Sequence, residues 1–171
     1  VVISKLTQSI TSTTIQSSYN TTDRIELSAE ANSGLTAFEY SASPAGVASF
    51  DGNVMTFSQS GTTAITATQP GSNVYAAAST TVNGAQVNKV TPTIATKPSV
   101  ETVKYGDVLN NSLLSNGKAT VTLRGVADTE VEGTFAWTNV GSTVTNGAGN
   151  HDYQITFTPS DEGMYNSKTF T

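Results

Sequence analysis

The chain repeats itself. Ile65-Thr66-x-Thr68 leads to Tyr75, and Ile155-Thr156-x-Thr158 leads to Tyr165, a shift of 90 at both landmarks (155 − 65 and 165 − 75). Phe38-x-Tyr40 recurs as Phe135-x-Trp137, shifted by 97, and Lys5-x-Thr7-x-x-Ile10 recurs as Lys89-x-Thr91-x-x-Ile94, shifted by 84. Landmarks kept in one order at drifting offsets describe one structural unit written twice, with loops of different length. Halving 171 residues gives about 85 per copy, enough for one modest core without staples. Two domains are therefore expected, 1–89 and 90–171. A tandem of this kind is more often a spacer or binding array than a catalyst.

Composition decides which kind of unit is repeated. Charged residues make up 12% of the chain, about half the usual share, and Ser and Thr together supply nearly three residues in ten. Small β-branched hydroxyl side chains suit the solvent face of a strand and resist helix formation. The expected class is all-β, with an extracellular character. Cysteine is absent, which removes disulfides and thiolate chemistry but leaves the compartment open. The net charge is −5, and the eight basic residues are scattered, so the clustered cationic face that nucleic acid requires is missing. No apolar run approaches the roughly 18 residues of a membrane span. The sequence begins at Val1, without an initiating Met or a signal-peptide pattern, so an excised or mature segment is expected.

Period-two alternation runs through most of the chain. Ile25, Leu27 and Ala29 share a face, and so do Phe38 with Tyr40, and Tyr153 with Ile155 and Phe157. Turn signals recur about every ten residues, at Asn32-Ser33-Gly34, Ser43-Pro44-Ala45-Gly46, Asp51-Gly52-Asn53, Ser60-Gly61 and Pro70-Gly71-Ser72-Asn73, a spacing that points to a sandwich. Asp51-Gly52, between Val47–Phe50 and Val54–Phe57, reads as a type I′ hairpin turn. Val121-Thr122-Leu123 is expected to pair with Gly133–Trp137 across a loop from Arg124 to Glu132. Leu109–Leu114 is the one stretch suited to a short helical turn. Pro92 lacks a ladder donor and belongs at a strand start or edge. The second copy stops at Thr171, opposite Thr81 of the first, so the chain is expected to end near a domain edge.

These landmarks resemble the bacterial immunoglobulin-like repeats of large surface and adhesin-like proteins. In the first half the resemblance is carried by Ser33-Gly34-Leu35, Tyr40–Ala45, Gly52-Asn53-Val54, Gly61–Ala67 and Tyr75-Ala76-Ala77. In the second it is carried by Tyr105–Leu109, Gly133–Thr138, Tyr153–Pro159, Asp161 and Tyr165-Asn166. The resemblance implies two tandem immunoglobulin-like β-sandwiches in an extracellular or cell-surface protein, a monomer within a longer chain. It implies a stalk, spacer or adhesion role with an unidentified surface ligand, protein or glycan, and no membrane insertion by this segment. Such repeats share no catalytic residues, so a non-enzymatic role is expected. A carbohydrate-binding accessory segment of a secreted multi-domain enzyme is the alternative. Exposed coplanar aromatics would favour it.

Each residue type with chemical potential has a structural reading beside the functional one. Trp137 could stack on a sugar ring, but it shares a face with Phe135, and a core role is favoured. Phe38, Tyr40, Ile65, Phe135 and Ile155 are expected in the core with it. Tyr75 and Tyr165 read either as tyrosine corners or as the starts of last strands, and the second is preferred. His151, the lone histidine, lies in the turn Asn146–Asp152, which promises neither the held partner nor the pocket that acid–base work needs. Asp128, Glu130 and Glu132 alternate and are weak calcium candidates, with Asp152, Asp161 and Glu162 weaker still; a solvated acidic loop is favoured, and no cofactor is expected. Lys5 or Lys104 would need a buried acid to form an intramolecular Lys–Asn bond. Asn20-Thr21-Thr22 and Asn110-Asn111-Ser112 fit the glycosylation pattern, as chance allows in a Thr-rich chain.

Overall fold

The computed structural model describes residues 1–171, which divide into two compact units, Val1–Lys89 and Val90–Thr171. Both are built from strands, and the arrangement is compatible with a β-sandwich. No helix is long and apolar enough to cross a membrane.

The first unit holds β1 (Ile10–Thr13), β2 (Ser18–Asn20), β3 (Arg24–Glu26), β4 (Ala29–Ala31), β5 (Glu39–Ser43), β6 (Ala48–Asp51), β7 (Val54–Phe57), β8 (Gly61–Gln69) and β9 (Ala78–Asn88). They form sheets in the orders β2-β9-β8-β5, β3-β7-β6 and β1-β4. Alternation along β8 turns Thr63, Ile65, Ala67 and Gln69 inward, each at most 1% exposed. Met55 and Phe57 of β7 close on the same core, where Phe57 packs against Tyr19 at 5.1 Å between ring centroids. The Arg24–Ala29 alternation persists in burial, but the ladder does not. β3 pairs with β7, the Leu27 N–H donates to the Asn53 carbonyl (2.8 Å), and β4 then joins β1. One apolar face thus serves two sheets.

The hairpin at Asp51 exists, with its turn one residue later than expected. Asp51 pairs with Val54, so Gly52-Asn53 are the central residues, and only Gly52 has positive φ (59°). That pattern fits a type II′ turn rather than type I′, since Asn53 needs no left-handed backbone. Gln69 is buried, and both polar atoms of its amide are hydrogen-bonded. Its Oε1 accepts from Gln8 Nε2 (2.7 Å) and from the Gly71 N–H, and its Nε2 donates to the Ala37 carbonyl (3.2 Å). Gly71 has φ of 87°, and a Cβ there would meet the Tyr75 carbonyl oxygen at 2.6 Å. Only glycine fits this close turn.

The second unit holds β10 (Thr93–Thr96), β11 (Ser99–Val100), a 3₁₀ turn at Asn111–Leu113, β12 (Leu114–Ser115), β13 (Lys118–Leu123), β14 (Val126–Glu130), β15 (Gly133–Trp137), β16 (Ile155–Pro159) and β17 (Lys168–Phe170). The sheets are β10-β13-β14, β15-β16-β17 and β11-β12. The helical turn lies where the sequence allows it, and Pro92 immediately precedes β10. The pairing expected for Val121–Leu123 is wrong. β13 turns back at Arg124-Gly125 onto β14, while β15 pairs with β16. Arg124 (φ 52°) and Gly125 (φ 87°) both take positive φ, which closes a two-residue hairpin inside the presumed loop. Asp128 (φ 53°) lies in the stretch where the register shifts by one residue, a bulge that breaks the acidic alternation.

Two buried clusters fill this unit. Ala119, Val121, Val131, Phe157 and Tyr165 form one, and Leu109, Trp137, Val144 and Ile155 form the other; Phe135 and Phe170 pack against both. Trp137 is 5% exposed, Ile155 6% and Ile65 fully buried, while Tyr40 and Phe135 are partly buried against their cores. Phe38 differs from expectation. It is half-buried and stands outside the residues packed on the first core. It precedes β5 and has no ladder partner. Tyr40 faces Ala67 and Ala42 faces Ile65, whereas Phe135 faces Phe157 and Trp137 faces Ile155. With Ile65 and Ile155 superposed, the ladder position of Phe135 corresponds to that of Tyr40, an offset of 95 (135 − 40) rather than 97. Register follows hydrogen bonds, which an aromatic-x-aromatic match does not encode.

Candidate functional site

An open groove of about 740 Å³ lies in the second unit. Its floor is apolar because Leu109, Trp137, Val144 and Ile155 face one another from four separate segments. Trp137 is held by two polar contacts from the 3₁₀ turn. Its Nε1 donates to the Asn110 carbonyl (3.0 Å), and its backbone N–H donates to Asn111 Oδ1 (3.1 Å). Tyr153 stands edge-on to the indole at 6.0 Å and 77°, and its hydroxyl accepts from Asn146 Nδ2 (3.1 Å).

One wall is a tight turn, Lys104-Tyr105-Gly106-Asp107. The Asp107 N–H donates to the Lys104 carbonyl (3.0 Å), and Asp107 Oδ2 accepts from the Lys104 N–H (2.6 Å). Gly106 at the third position has φ of 91°, as a type II turn requires. The turn leaves Tyr105 at its tip, 76% exposed and bordering the groove. The opposite wall is Asn146–Asp152, where His151 Nε2 donates to the Gly147 carbonyl (2.7 Å). The His151 turn therefore does border a cavity, contrary to the sequence reading, but its partner is a backbone carbonyl. Such a partner orients the ring without supplying the carboxylate or nucleophile of a catalytic pair.

The acidic candidates are not gathered. No group of three or more His, Cys, Asp or Glu is placed to hold a metal. Glu130 Oε2 pairs instead with Lys118 Nζ across the β13–β14 hairpin (2.9 Å), Asp128 sits on the bulge, and Glu132 lies beyond β14. Asp161 caps a turn, its Oδ1 accepting from the Gly163 (3.0 Å) and Met164 (3.1 Å) N–H groups. Lys5 and Lys104 are exposed, without the burial that a Lys–Asn bond requires.

Tyr75 and Tyr165 take the same part in their respective units. Leu6 bridges Tyr75 and Val90 bridges Tyr165, both in parallel sense, and each tyrosine lies three residues before the last strand of its unit. Burial raises the pKa of the Tyr165 phenol, the negative charge of Asp161 adds to this, and Arg124 opposes it. The groove tyrosines were the residues that sequence reading did not single out as a site. Tyr-Gly-Asp at 105–107 carried the signal, since glycine suits the third position of a type II turn and leaves Tyr105 at the second. No family model, curated protein or solved structure matches the chain.

Proposed function

We propose that the chain is a non-enzymatic pair of immunoglobulin-like β-sandwiches from a bacterial cell-surface protein, acting as a stalk, spacer or adhesion element. One observation carries the reading: the same hydrogen-bond pattern recurs in both units. The Leu6 N–H donates to the Val74 carbonyl and the Ala76 N–H to Leu6 (both 2.8 Å); the Val90 N–H donates to Met164 (3.2 Å) and the Asn166 N–H to Val90 (2.9 Å). The outer sheet faces agree too, with hydroxyl pairs Thr66–Thr81 (2.8 Å) and Thr156–Thr169 (2.9 Å) at corresponding ladder positions. A unit duplicated with its entry bridge and its surface intact suits a repeated structural module. Catalysis would need only one copy to retain a site.

The test combines location and turnover. Antibody against the chain should label intact cells that express the parent protein without permeabilisation. The purified chain should turn over no member of a polysaccharide and peptide panel. Labelling only after permeabilisation, or turnover abolished by His151→Ala, would overturn the proposal. A second reading, a carbohydrate-binding accessory segment of a secreted enzyme, is favoured by the exposed Tyr105 beside the groove.

A further inference from the structure

The geometry points to the groove of the second unit as a binding site for a neutral oligosaccharide, with Tyr105 as the stacking platform. The inference rests on the non-enzymatic reading above and names the ligand class. Three properties of the groove select this ligand. The first is the combination of an exposed phenol ring at the turn tip with the apolar floor over Trp137. A pyranose presents C–H groups on one face and hydroxyls around its edge, so it needs an aromatic surface and polar side chains together.

The second property is charge. Lys97 and Lys104 border the groove, but so do Glu101, Asp152 and the terminal residue Thr171, so the lining carries no excess of cations. A phosphorylated or sulfated ligand would want clustered cations without carboxylates among them. The third is form. The groove is open and about 740 Å³, within the roughly 300–1,000 Å³ usual for ligand sites. An open cleft lets a chain of sugars pass along it, whereas a lipid tail or apolar side chain calls for enclosure. Tyr105 is also pre-set: the Asp107 carboxylate and Gly106 fix its turn without any ligand. Little backbone freedom remains there to be lost on binding.

The experiment uses the full 171-residue chain. Hexasaccharides of glucose, xylose, mannose and N-acetylglucosamine are titrated by calorimetry and by Trp137 fluorescence, with released reducing ends assayed in the same samples. At least one neutral sugar should bind saturably and perturb Trp137. Tyr105→Ala should weaken that binding tenfold or more, with the far-UV spectrum and denaturation midpoint unchanged, because an exposed turn tip contributes little to folding. Thr81→Ala, in the other unit, should bind as the parent does. The inference fails if no hexasaccharide binds at millimolar concentration or if Tyr105→Ala binds undiminished. It also fails if the groove proves to hold a second copy, seen as self-association that Tyr105→Ala abolishes. Binding with release of reducing ends would sink the non-enzymatic reading and leave the groove assignment standing. Absence of binding sinks the assignment alone, since surface labelling tests the other independently.

Discussion

Tyrosine is the residue on which this fold leaves its clearest chemical mark. Burial raises the pKa of Tyr19, Tyr40 and Tyr165 above the usual 10; at Tyr19 the Gln16 N–H, donating to the hydroxyl (2.6 Å), works against that shift. The neutral phenol is therefore favoured in the folded state. Below pH 10 the folded and unfolded forms both hold the proton, and stability from these groups is fully present. Above it the unfolded chain ionises first, and that stability is lost as pH climbs toward the folded values. The denaturation midpoint should thus fall as pH rises beyond about 10, and Tyr19→Phe should reduce the slope. An unchanged slope in the variant would show that Tyr19 does not contribute.

Among the elements, the β13–β14 hairpin depends on backbone geometry that its residues do not all favour. Gly125 adopts positive φ freely, but Arg124 at φ 52° carries a side chain into the left-handed region. That conformation costs an ordinary residue about 1–2 kcal/mol, and asparagine tolerates it better. Arg124→Asn should stabilise the second unit by about 0.5–1 kcal/mol, the Asn-Gly pair being the preferred type I′ sequence. Urea denaturation followed through Trp137 would measure the gain, and a loss of stability would refute the turn assignment. The bulge at Asp128 and Glu130, paired with Lys118 of the neighbouring β13, belong to the edge strand β14. Charges and a bulge on an edge strand discourage pairing with other chains, which gives the acidic stretch a structural purpose apart from metal.

For the molecule as a whole, the two cores differ in kind. The first unit has one contiguous cluster of eleven buried apolar residues, from Ile15 to Val87, whereas the second divides its core into clusters of five and four. Smaller, divided cores remove less apolar surface from water. The second unit should unfold at lower denaturant, so the whole chain should depart from two-state behaviour. The single tryptophan makes this measurable, because Trp137 reports on the second unit while far-UV circular dichroism reports on both. The fluorescence transition should be complete before the dichroism transition ends. Coincident curves would count against the ranking.

Much of this was legible from residues alone, because alternation and turn chemistry are local. The buried Ile65, Ile155 and Trp137 and the 3₁₀ turn near Leu109 all follow from side-chain period and type. What tertiary structure decided was non-local. A hydrogen-bond ladder moved the equivalence of Phe135 from Phe38 to Tyr40, since register depends on a partner strand that no local pattern specifies. A pair of positive-φ residues turned a presumed loop into β14, because arginine in that region is uncommon enough to be missed. The groove, above all, exists only where Tyr105, Trp137 and the His151 turn converge from segments far apart in the chain. Composition supplied its aromatic and polar side chains, and packing alone brought them to one place.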